Sequence, residues 1–410
     1  MTVADRGFRA PGTVHMIAGS LVGAVGAYLF QVVGGRALGP EAFAPISVLW
    51  TVFFILATIV LVPLEQYVTR EASLGRRVLR SDLGPISVTT ALAAGAGATF
   101  VLVTRTSLFE GEVVYAVQLG LLMIGYAVLF VGKGILAGHR RFKGVGWILF
   151  WESVGRLGAG IVFLWIAGVA PSLGWAMVLA PFVALGTRYW RHDVSAETAD
   201  PDAAGAAGGF LGAYIGGSAA SQLLLAGAPL GVAALGGSPE LVSVVFVTWT
   251  LYRGPLTLIY ALQARILPFL VRMTTDDSGG LRRLAGGVVV GGAALGVLGF
   301  AVGWWIGPEV VALLFGEEFT PDRLAAAFAA AGVVGASTAQ IAGQALVAAG
   351  RTGRLATAWA SGLAVGLVAL VVASGLDPDR AVGVAFLAGE TTAAMSVALL
   401  TLGIRRRSAV

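Results

Sequence analysis

The sequence GPEAFAPISVLWT at residues 39–51 has a counterpart, SPELVSVVFVTWT, at residues 238–250. The two stretches share a Pro-Glu pair and, nine residues after the Glu, a Trp-Thr pair, at an offset of 199 residues. Two further echoes follow the same order at offsets of 198 and 212 residues: Gly19-Ser20 with Gly217-Ser218, and Leu136–Arg140 with Ala348–Thr352. A common order at a near-constant offset indicates an internal duplication.

The composition identifies the chain as an integral membrane protein. Of its 410 residues, 57% are hydrophobic and only 12% are charged, and its mean hydropathy is +0.86. Soluble domains are about 25% charged, and a membrane-spanning helix needs roughly 20 apolar residues. Twelve apolar segments are present, six on each side of a polar break. They lie at residues 14–36, 41–64, 84–104, 112–136, 144–168, 171–190, 209–236, 240–271, 284–306, 323–349, 354–375 and 380–404.

We therefore predict an all-α membrane protein with twelve transmembrane helices in two six-helix lobes. Residues 1–190 form the first lobe, 191–208 a cytoplasmic linker, and 209–410 the second lobe. Because six is even, both lobes face the same way, and a pseudo-two-fold axis along the membrane normal should relate them. This architecture is typical of transporters that handle a substrate between two halves.

The distribution of basic residues predicts the orientation. With the N-terminus in the cytoplasm, 19 of the 27 Lys and Arg residues lie on the cytoplasmic side and four on the opposite side. The positive-inside rule therefore places both termini in the cytoplasm and the protein in the cell membrane. Although the pI is about 9.8, this distribution argues against a nucleic-acid partner.

The sequence carries no pattern typical of an enzyme or of a cofactor-binding protein. It has no cysteine, its three histidines are isolated, and its glycine runs lack the strand–turn–helix context of a nucleotide loop. We therefore predict no catalytic residues, no metal site and no cofactor, and we expect a monomer.

Three stretches of the sequence are similar to those of a known family: Gly35–Phe43, Phe315–Phe319 and Leu346–Arg351. They resemble the polysaccharide transporters, the oligosaccharide-lipid flippases of the multidrug/oligosaccharidyl-lipid/polysaccharide flippase superfamily. Gly35–Phe43 is similar to the first external turn of that family, although Ala44 follows Phe43 where a glycine is usual. The resemblance implies two lobes around a V-shaped cavity lined mainly by helices 1, 2, 7 and 8. It also implies alternating access that moves a polyprenyl-linked saccharide across the membrane.

The eighth apolar segment carries the main candidate for substrate binding. Arg253 lies roughly 20 Å along that segment from its outer end, near the bilayer midplane. Trp249, Arg253, Tyr260 and Gln263 share one helical face, which suits a wet cavity. A guanidinium there is able to bind a pyrophosphate, or alternatively to cap backbone carbonyls. Gly254-Pro255 should bend the helix next to it. Arg36, at the outer rim, would help release an anionic head group or anchor the helix at the interface.

Two other charged positions lie within apolar segments. Glu152 and Arg156 are four residues apart with the acid first, which predicts a structural ion pair. Glu390, followed by Thr391, has no basic residue near it in sequence and lies about 15 Å into the twelfth segment. The resemblance supports a coupling-ion role for Glu390 and Thr391, because several relatives hold their coupling cation in the second lobe. The ion is H+ or Na+; a protonated structural acid is the alternative.

These observations lead to one hypothesis and two rivals. The hypothesis is a flippase that moves a lipid-linked oligosaccharide or related cell-surface glycan precursor, bearing polyprenyl phosphate or pyrophosphate, by alternating access. The nearest rival is a cation-coupled multidrug/toxin antiporter of the same fold. A membrane glycosyltransferase or polymerase is the more distant rival, because its acidic candidates occupy a short external loop.

Overall fold

The computed structural model describes residues 12–193, 219–256, 259, 270, 273 and 278–402. Within these ranges the chain is helical and contains no β-strand, which confirms the all-α prediction. Nine helices in the described part are long and apolar enough to cross a membrane, and the first of them, Thr13–Ser73, contains two predicted segments. Each of the twelve predicted segments is helical over at least part of its length.

The chain divides into two compact units, Met1–Ile215 and Gly216–Val410. In the first unit, α1 packs against α6, and α5 packs against α2 and α4. Most of the predicted linker, residues 194–208, lies outside the described residues. The helices of this unit are α1 (Thr13–Leu56), α2 (Val62–Ser73), α3 (Val78–Ser81), α4 (Leu83–Leu108), α5 (Val114–Gly138), α6 (Phe142–Ala167) and α7 (Ala170–Leu179). A π-helical turn, Ala57–Leu61, joins α1 to α2, and two 3-10 turns, Ala180–Thr187 and Tyr189–His192, follow α7.

The second unit is built around its last helix, which packs against two others. Its helices are α8 (Ala228–Ala234), α9 (Pro239–Tyr252), α10 (Ser278–Trp305), α11 (Gly307–Phe315), α12 (Arg323–Ala348), α13 (Thr352–Val372) and α14 (Pro378–Leu402). Residues 219–226 are also helical. The α14 helix packs against α12 and α13, and α12 packs in turn against α10.

The duplicated Pro-Glu motif marks the start of an apolar helix in both units. In the first unit, Gly39 has φ 75° and ψ 169°, which interrupts α1 immediately before Pro40. In the second unit, Ser238 is the N-cap of α9, and its side chain accepts a hydrogen bond from the Leu241 amide at 3.3 Å. Proline suits the first helical position because its missing N–H would have no partner there. The motif is therefore a helix-start signal used twice.

Small residues bring α1 and α6 into backbone contact. A Cβ atom on Gly19 would lie 2.3 Å from the carbonyl oxygen of Gly146, and one on Gly146 would lie 2.3 Å from that of His15. Further along both helices, the Ser153 hydroxyl donates a hydrogen bond to the Gly23 carbonyl at 3.2 Å. Within lipid, such close approach supplies the packing that holds helices together.

Glu152 and Arg156 form an ion pair inside the first unit. Both side chains are buried, and Nη1 of Arg156 lies 2.5 Å from Oε1 of Glu152. The Tyr126 hydroxyl of α5 donates to the same carboxylate oxygen at 2.5 Å and accepts from Arg156 at 2.9 Å. The guanidinium also lies 5.1 Å from the centre of the Trp50 ring. The network therefore connects α1, α5 and α6.

We expect Gly146→Leu to destabilise the first unit, because its side chain would collide with the backbone of α1. Forcing extra atoms into a packed contact typically costs about 1–3 kcal/mol. Gly158→Leu on the same helix is the matched control, since a Cβ at Gly158 meets nothing within 4 Å. Thermal unfolding in detergent would measure both. Equal melting temperatures for the two variants would contradict the packing described here.

We expect Arg156→Leu to lower the free energy of unfolding by about 3–5 kcal/mol, because it leaves the Glu152 carboxylate buried without its cation. The double variant Glu152→Leu/Arg156→Leu removes both charges and should recover most of that loss. Denaturant unfolding of the single and double variants would test this. If the double variant is less stable than Arg156→Leu, the pair does not act as a neutralising unit.

Candidate cation-binding site

The N-terminal end of α14 is fixed to α12 by a bidentate ion pair. Arg380 donates from Nε and Nη2 to the two carboxylate oxygens of Asp322, at 3.0 and 2.8 Å. The same carboxylate caps α12 by accepting from the amides of Leu324 and Ala325, both at 3.0 Å. The hydrogen bonds from Arg380 hold the pKa of Asp322 below its usual range. The register between α12 and α14 is therefore set at their N-terminal ends.

Further into the membrane, glycines let α14 approach both neighbours closely. A Cβ on Gly362 of α13 would lie 2.7 Å from the carbonyl oxygen of Gly389. On the other side of α14, a Cβ on Gly335 of α12 would lie 3.2 Å from Cβ of Glu390. The next residue after Gly389 is therefore enclosed between two helices.

That residue is Glu390, whose carboxyl group is fully enclosed. Its side chain is 0% exposed, although it lies only ~18 Å along α14 from Pro378. Neither carboxyl oxygen has a hydrogen-bond partner among the residues that the structure describes. A buried, unpaired carboxylate costs several kcal/mol, so the group must be neutralised by a proton or a bound cation while it is buried.

A cavity of about 510 Å³ lies beside this acid within the second unit. Its walls come from α10, α12 and α14 and are mostly apolar. Gly335 and Thr391 form part of the wall. Gly335 has no side chain that would separate the cavity from Glu390. Thr338 supplies the other hydroxyl group of the wall. The predicted pair of Glu390 and Thr391 is thus divided, because the acid lies behind the wall while the threonine lines the cavity.

The arrangement suits the binding of a single light cation better than a multi-ligand metal centre. Among the described residues, no three His, Cys, Asp or Glu side chains come together. One carboxyl group is able to hold a proton, or a cation whose remaining ligands are backbone carbonyls and water. Chemically, the site can take up and release one positive charge.

The other candidate residues that can be placed lie elsewhere in the second unit. As the Gly-Pro pair predicts, α9 ends at Tyr252 and the chain turns at Arg253. The half-buried guanidinium of Arg253 donates to the Thr250 hydroxyl at 3.2 Å and approaches the Leu225 carbonyl at 3.5 Å. Trp249 is 1% exposed, and its ring packs against Phe386 of α14 with centroids 5.9 Å apart. In this conformation its indole is therefore a core group.

The remaining predicted residues are less informative. Tyr260 and Gln263 lie outside the described residues. Arg36 is exposed one turn before the break at Gly39. That Arg253 and Arg36 each contact a substrate stays a prediction.

Sequence spacing did not reveal several of the polar contacts. Lys133 pairs with Glu65 at 3.0 Å, and Glu71 is fully buried and pairs with Arg76 at 2.6 Å. The Tyr126 hydroxyl joins the Glu152 pair from another helix. The partners of Lys133 and Tyr126 are 68 and 26 residues away in the chain, so no local pattern announces them.

Comparison with known proteins gives a fold but no sequence family. No family model matches the chain, and no curated protein sequence is significantly similar to it. Solved transporter structures match it over nearly its whole length. The inward-facing conformation of a multidrug resistance MATE family transporter of the MOP superfamily matches with a TM-score of 0.68 and 14% identity, covering 96% of this chain and 98% of that one.

Two further matches show the same architecture. A MATE transporter from Vibrio cholerae has a TM-score of 0.60 and 14% identity, with 96% of each chain covered. A MOP superfamily transporter from Pyrococcus furiosus, whose binding pocket is described as having reversed polarity that suggests a different function, has a TM-score of 0.57 and 13% identity over 98% of each chain. The chain therefore has the fold of the MATE transporters of the MOP superfamily, with twelve helices in two lobes.

Proposed function

We propose that this protein is a cation-coupled membrane transporter that works by alternating access, with Glu390 as its coupling residue. The observation that carries the proposal is the enclosed carboxyl group of Glu390, which has no hydrogen-bond partner among the described residues. Intramembrane acids are costly and are typically kept for ion or substrate pathways. The shared fold adds support, because transporters with it have been solved in inward-facing and outward-facing conformations.

Glu390 stands apart from the other acids that are buried or half-buried within the described spans. Glu152 pairs with Arg156, Glu65 with Lys133, and Glu71 with Arg70 and Arg76. Asp379, buried at the start of α14, accepts a hydrogen bond from the Arg380 amide at 2.8 Å. A carboxylate that already has a cationic partner gains little from binding another cation. Within the described part of the chain, we therefore assign the binding of an exchangeable cation to Glu390.

Coupling follows from the difference in solvation between two conformations. When the second unit encloses Glu390, the carboxyl group is stable only with its cation, as argued above. A conformation that admits water stabilises the bare carboxylate and lets the cation leave. Since a ligand shifts a conformational equilibrium by its differential affinity, cation binding favours the enclosed state and cation release the open one. Substrate movement is driven if the substrate prefers the opposite conformation.

Organic cations are the substrate class that we place first. Several structures of similar fold are described as multidrug resistance MATE transporters, which favours exchange of a drug-like cation for H+ or Na+ over the movement of a lipid-linked saccharide. In such an antiporter, the solute and the coupling cation bind alternately, so one half-cycle carries each.

We expect Glu390→Gln to reduce gradient-driven extrusion of a cationic dye from proteoliposomes at least about tenfold, because the amide cannot exchange a proton or a cation. Glu240→Gln is the matched control, since Glu240 is exposed in the first turn of α9. Separate pH and Na+ gradients identify the ion. Unimpaired dye transport by Glu390→Gln would overturn the coupling role of this residue.

A second candidate function, movement of a lipid-linked saccharide, is favoured by one specific observation. The guanidinium of Arg253 lies half-buried at a break between helical segments, next to the Thr250 hydroxyl. A cation at such a break suits an anionic phosphate or pyrophosphate head group rather than an organic cation. The resemblance of the Gly35–Phe43 turn to polysaccharide transporters points the same way.

If that candidate is correct, native protein should flip a fluorescent polyprenyl-pyrophosphate saccharide in proteoliposomes. Arg253→Ala should lower the rate at least about tenfold, whereas Arg253→Lys should retain part of it, because a lysine keeps the charge but not the bidentate geometry. Circular dichroism and melting controls show that the variants are folded. Dye extrusion with no saccharide flipping by the native protein would rule out this second candidate.

A further inference from the structure

Two basic segments of the first unit lie side by side at the end of α5. Residues 139–143 connect α5 to α6, and residues 188–192 form the 3-10 turn after α7. The ring of Tyr189 fills the space beside Gly132 of α5, 2.7 Å from the position of an ideal Cβ. The turn Tyr189–His192 packs against α5. The two segments therefore present one surface.

This surface carries five exposed cations and two histidines, and it contains no carboxylate that neutralises them. Its exposed cations form no ion pair with any residue that the structure describes. The adjacent acid, Asp193, instead accepts hydrogen bonds from the amides of Val78 and Leu79, both at 2.9 Å. The surface comprises His139, Arg140, Arg141, Lys143, Arg188, Arg191 and His192.

Two of these arginines occupy strained backbone positions. Arg140 has φ 56° and Arg188 has φ 50°, and Glu110 is the only other residue besides glycine with positive φ in the described part of the chain. L-residues with side chains rarely adopt this left-handed region, and strain of this kind collects at functional positions.

Other helix ends with the same hydrogen-bond pattern have a glycine at the position that Arg140 occupies. After α5, the Arg140 amide bonds to the Ala137 carbonyl at 2.9 Å and the Arg141 amide to the Leu136 carbonyl at 2.7 Å, which is a Schellman ending. The equivalent ending of α12 in the duplicated half has Gly350 at the left-handed position, with φ 70°. The same bond pattern has Gly75 after α2 and Gly236 after α8. Glycine is the residue that this geometry favours, so the arginine is retained at a cost to the fold.

Tryptophans beside the basic surface place it at a membrane interface. Trp147 of α6 is 41% exposed, and its ring fills the space beside Gly186 of the preceding 3-10 turn, Ala180–Thr187. Trp151 is 44% exposed one turn away, and Trp190 is 45% exposed between Arg188 and Arg191. Exposed tryptophans collect at the level of lipid head groups, where one end of the ring is apolar and the other is wet.

We propose that this surface, residues 139–143 and 188–192, binds the head group of an anionic phospholipid. The guanidinium groups of Arg140, Arg141, Arg188 and Arg191 supply donors for the phosphate oxygens, and the neighbouring indoles pack against the glycerol and upper acyl region. Basic clusters between the ends of membrane helices bind anionic head groups in this way. The retained strain at Arg140 and Arg188 is explained because glycine would provide the turn but not the charge.

The test uses the full chain in detergent, titrated with short-chain phosphatidylglycerol, phosphatidylcholine or inorganic phosphate. Native mass spectrometry measures bound lipid, and thermal melting measures the shift that each ligand causes. We expect phosphatidylglycerol to bind and stabilise the native protein, with phosphatidylcholine and phosphate having little effect. Arg140→Gly and Arg188→Gly should each weaken phosphatidylglycerol binding by about fivefold, the effect of one cation near an anionic surface.

The glycine variants separate binding from folding. Because they relieve left-handed strain, Arg140→Gly and Arg188→Gly should melt at or above the native temperature without lipid, while losing affinity for phosphatidylglycerol. Glu110→Gly, which relieves the same strain at the other end of α5, should keep the native affinity. Equal binding of phosphatidylglycerol and phosphatidylcholine, undiminished affinity in the arginine variants, or competition by inorganic phosphate at similar concentration would each overturn the proposal.

Discussion

The interior of a membrane offers no water, so polar groups that enter it must find partners within the protein. For the backbone this requirement is met by helices, whose hydrogen bonds are internal. Because lipid tails are as apolar as the helix surfaces, the hydrophobic effect does not drive helices together, and close van der Waals contact holds them instead. The Gly19–Gly146 contact in the first unit and the Gly362–Gly389 contact in the second are two instances of that solution. Close helix contacts of this kind account for part of the 59 glycines of the chain.

The same requirement makes the two units differ in their charges. In the first unit, the Glu152 carboxylate receives both a guanidinium and a phenol, and Trp50 of the duplicated motif lies beside the guanidinium. In the second unit, Trp249 of the same motif packs against Phe386, one turn before Glu390, and the acid has no such cation. A duplicated scaffold therefore holds a neutralised acid in one half and an enclosed acid without a described partner in the other. Only the latter has a charge to exchange, which is why we assign coupling to the second half.

Local pattern predicted much of this fold and only part of the site. Segment hydropathy found the helices, the Pro-Glu motif coincided with helix starts, and the i,i+4 spacing of Glu152 and Arg156 placed the two groups in contact. Contacts between distant segments were not predictable, because spacing along one helix says nothing about which neighbour it meets. Tyr126, Lys133 and the cavity beside Gly335 belong to this class. Trp249 shows the limit most clearly: whether its side chain meets a cavity or Phe386 depends on packing, which spacing along the helix does not specify.

An unpaired charge has opposite meanings at different depths, and both of our site assignments depend on this difference. Within the span, an unpartnered acid such as Glu390 is informative by itself, because the environment penalises it by several kcal/mol. At the head-group level water solvates a free arginine, so exposure alone indicates nothing. There the informative quantity is the backbone φ angle. Arg140 lies at the position that Gly350 occupies in the second half, in a left-handed conformation that disfavours residues with a side chain. Inside the membrane, the cost of burying a charge identifies the site. At the membrane edge, the cost of a left-handed backbone conformation identifies it.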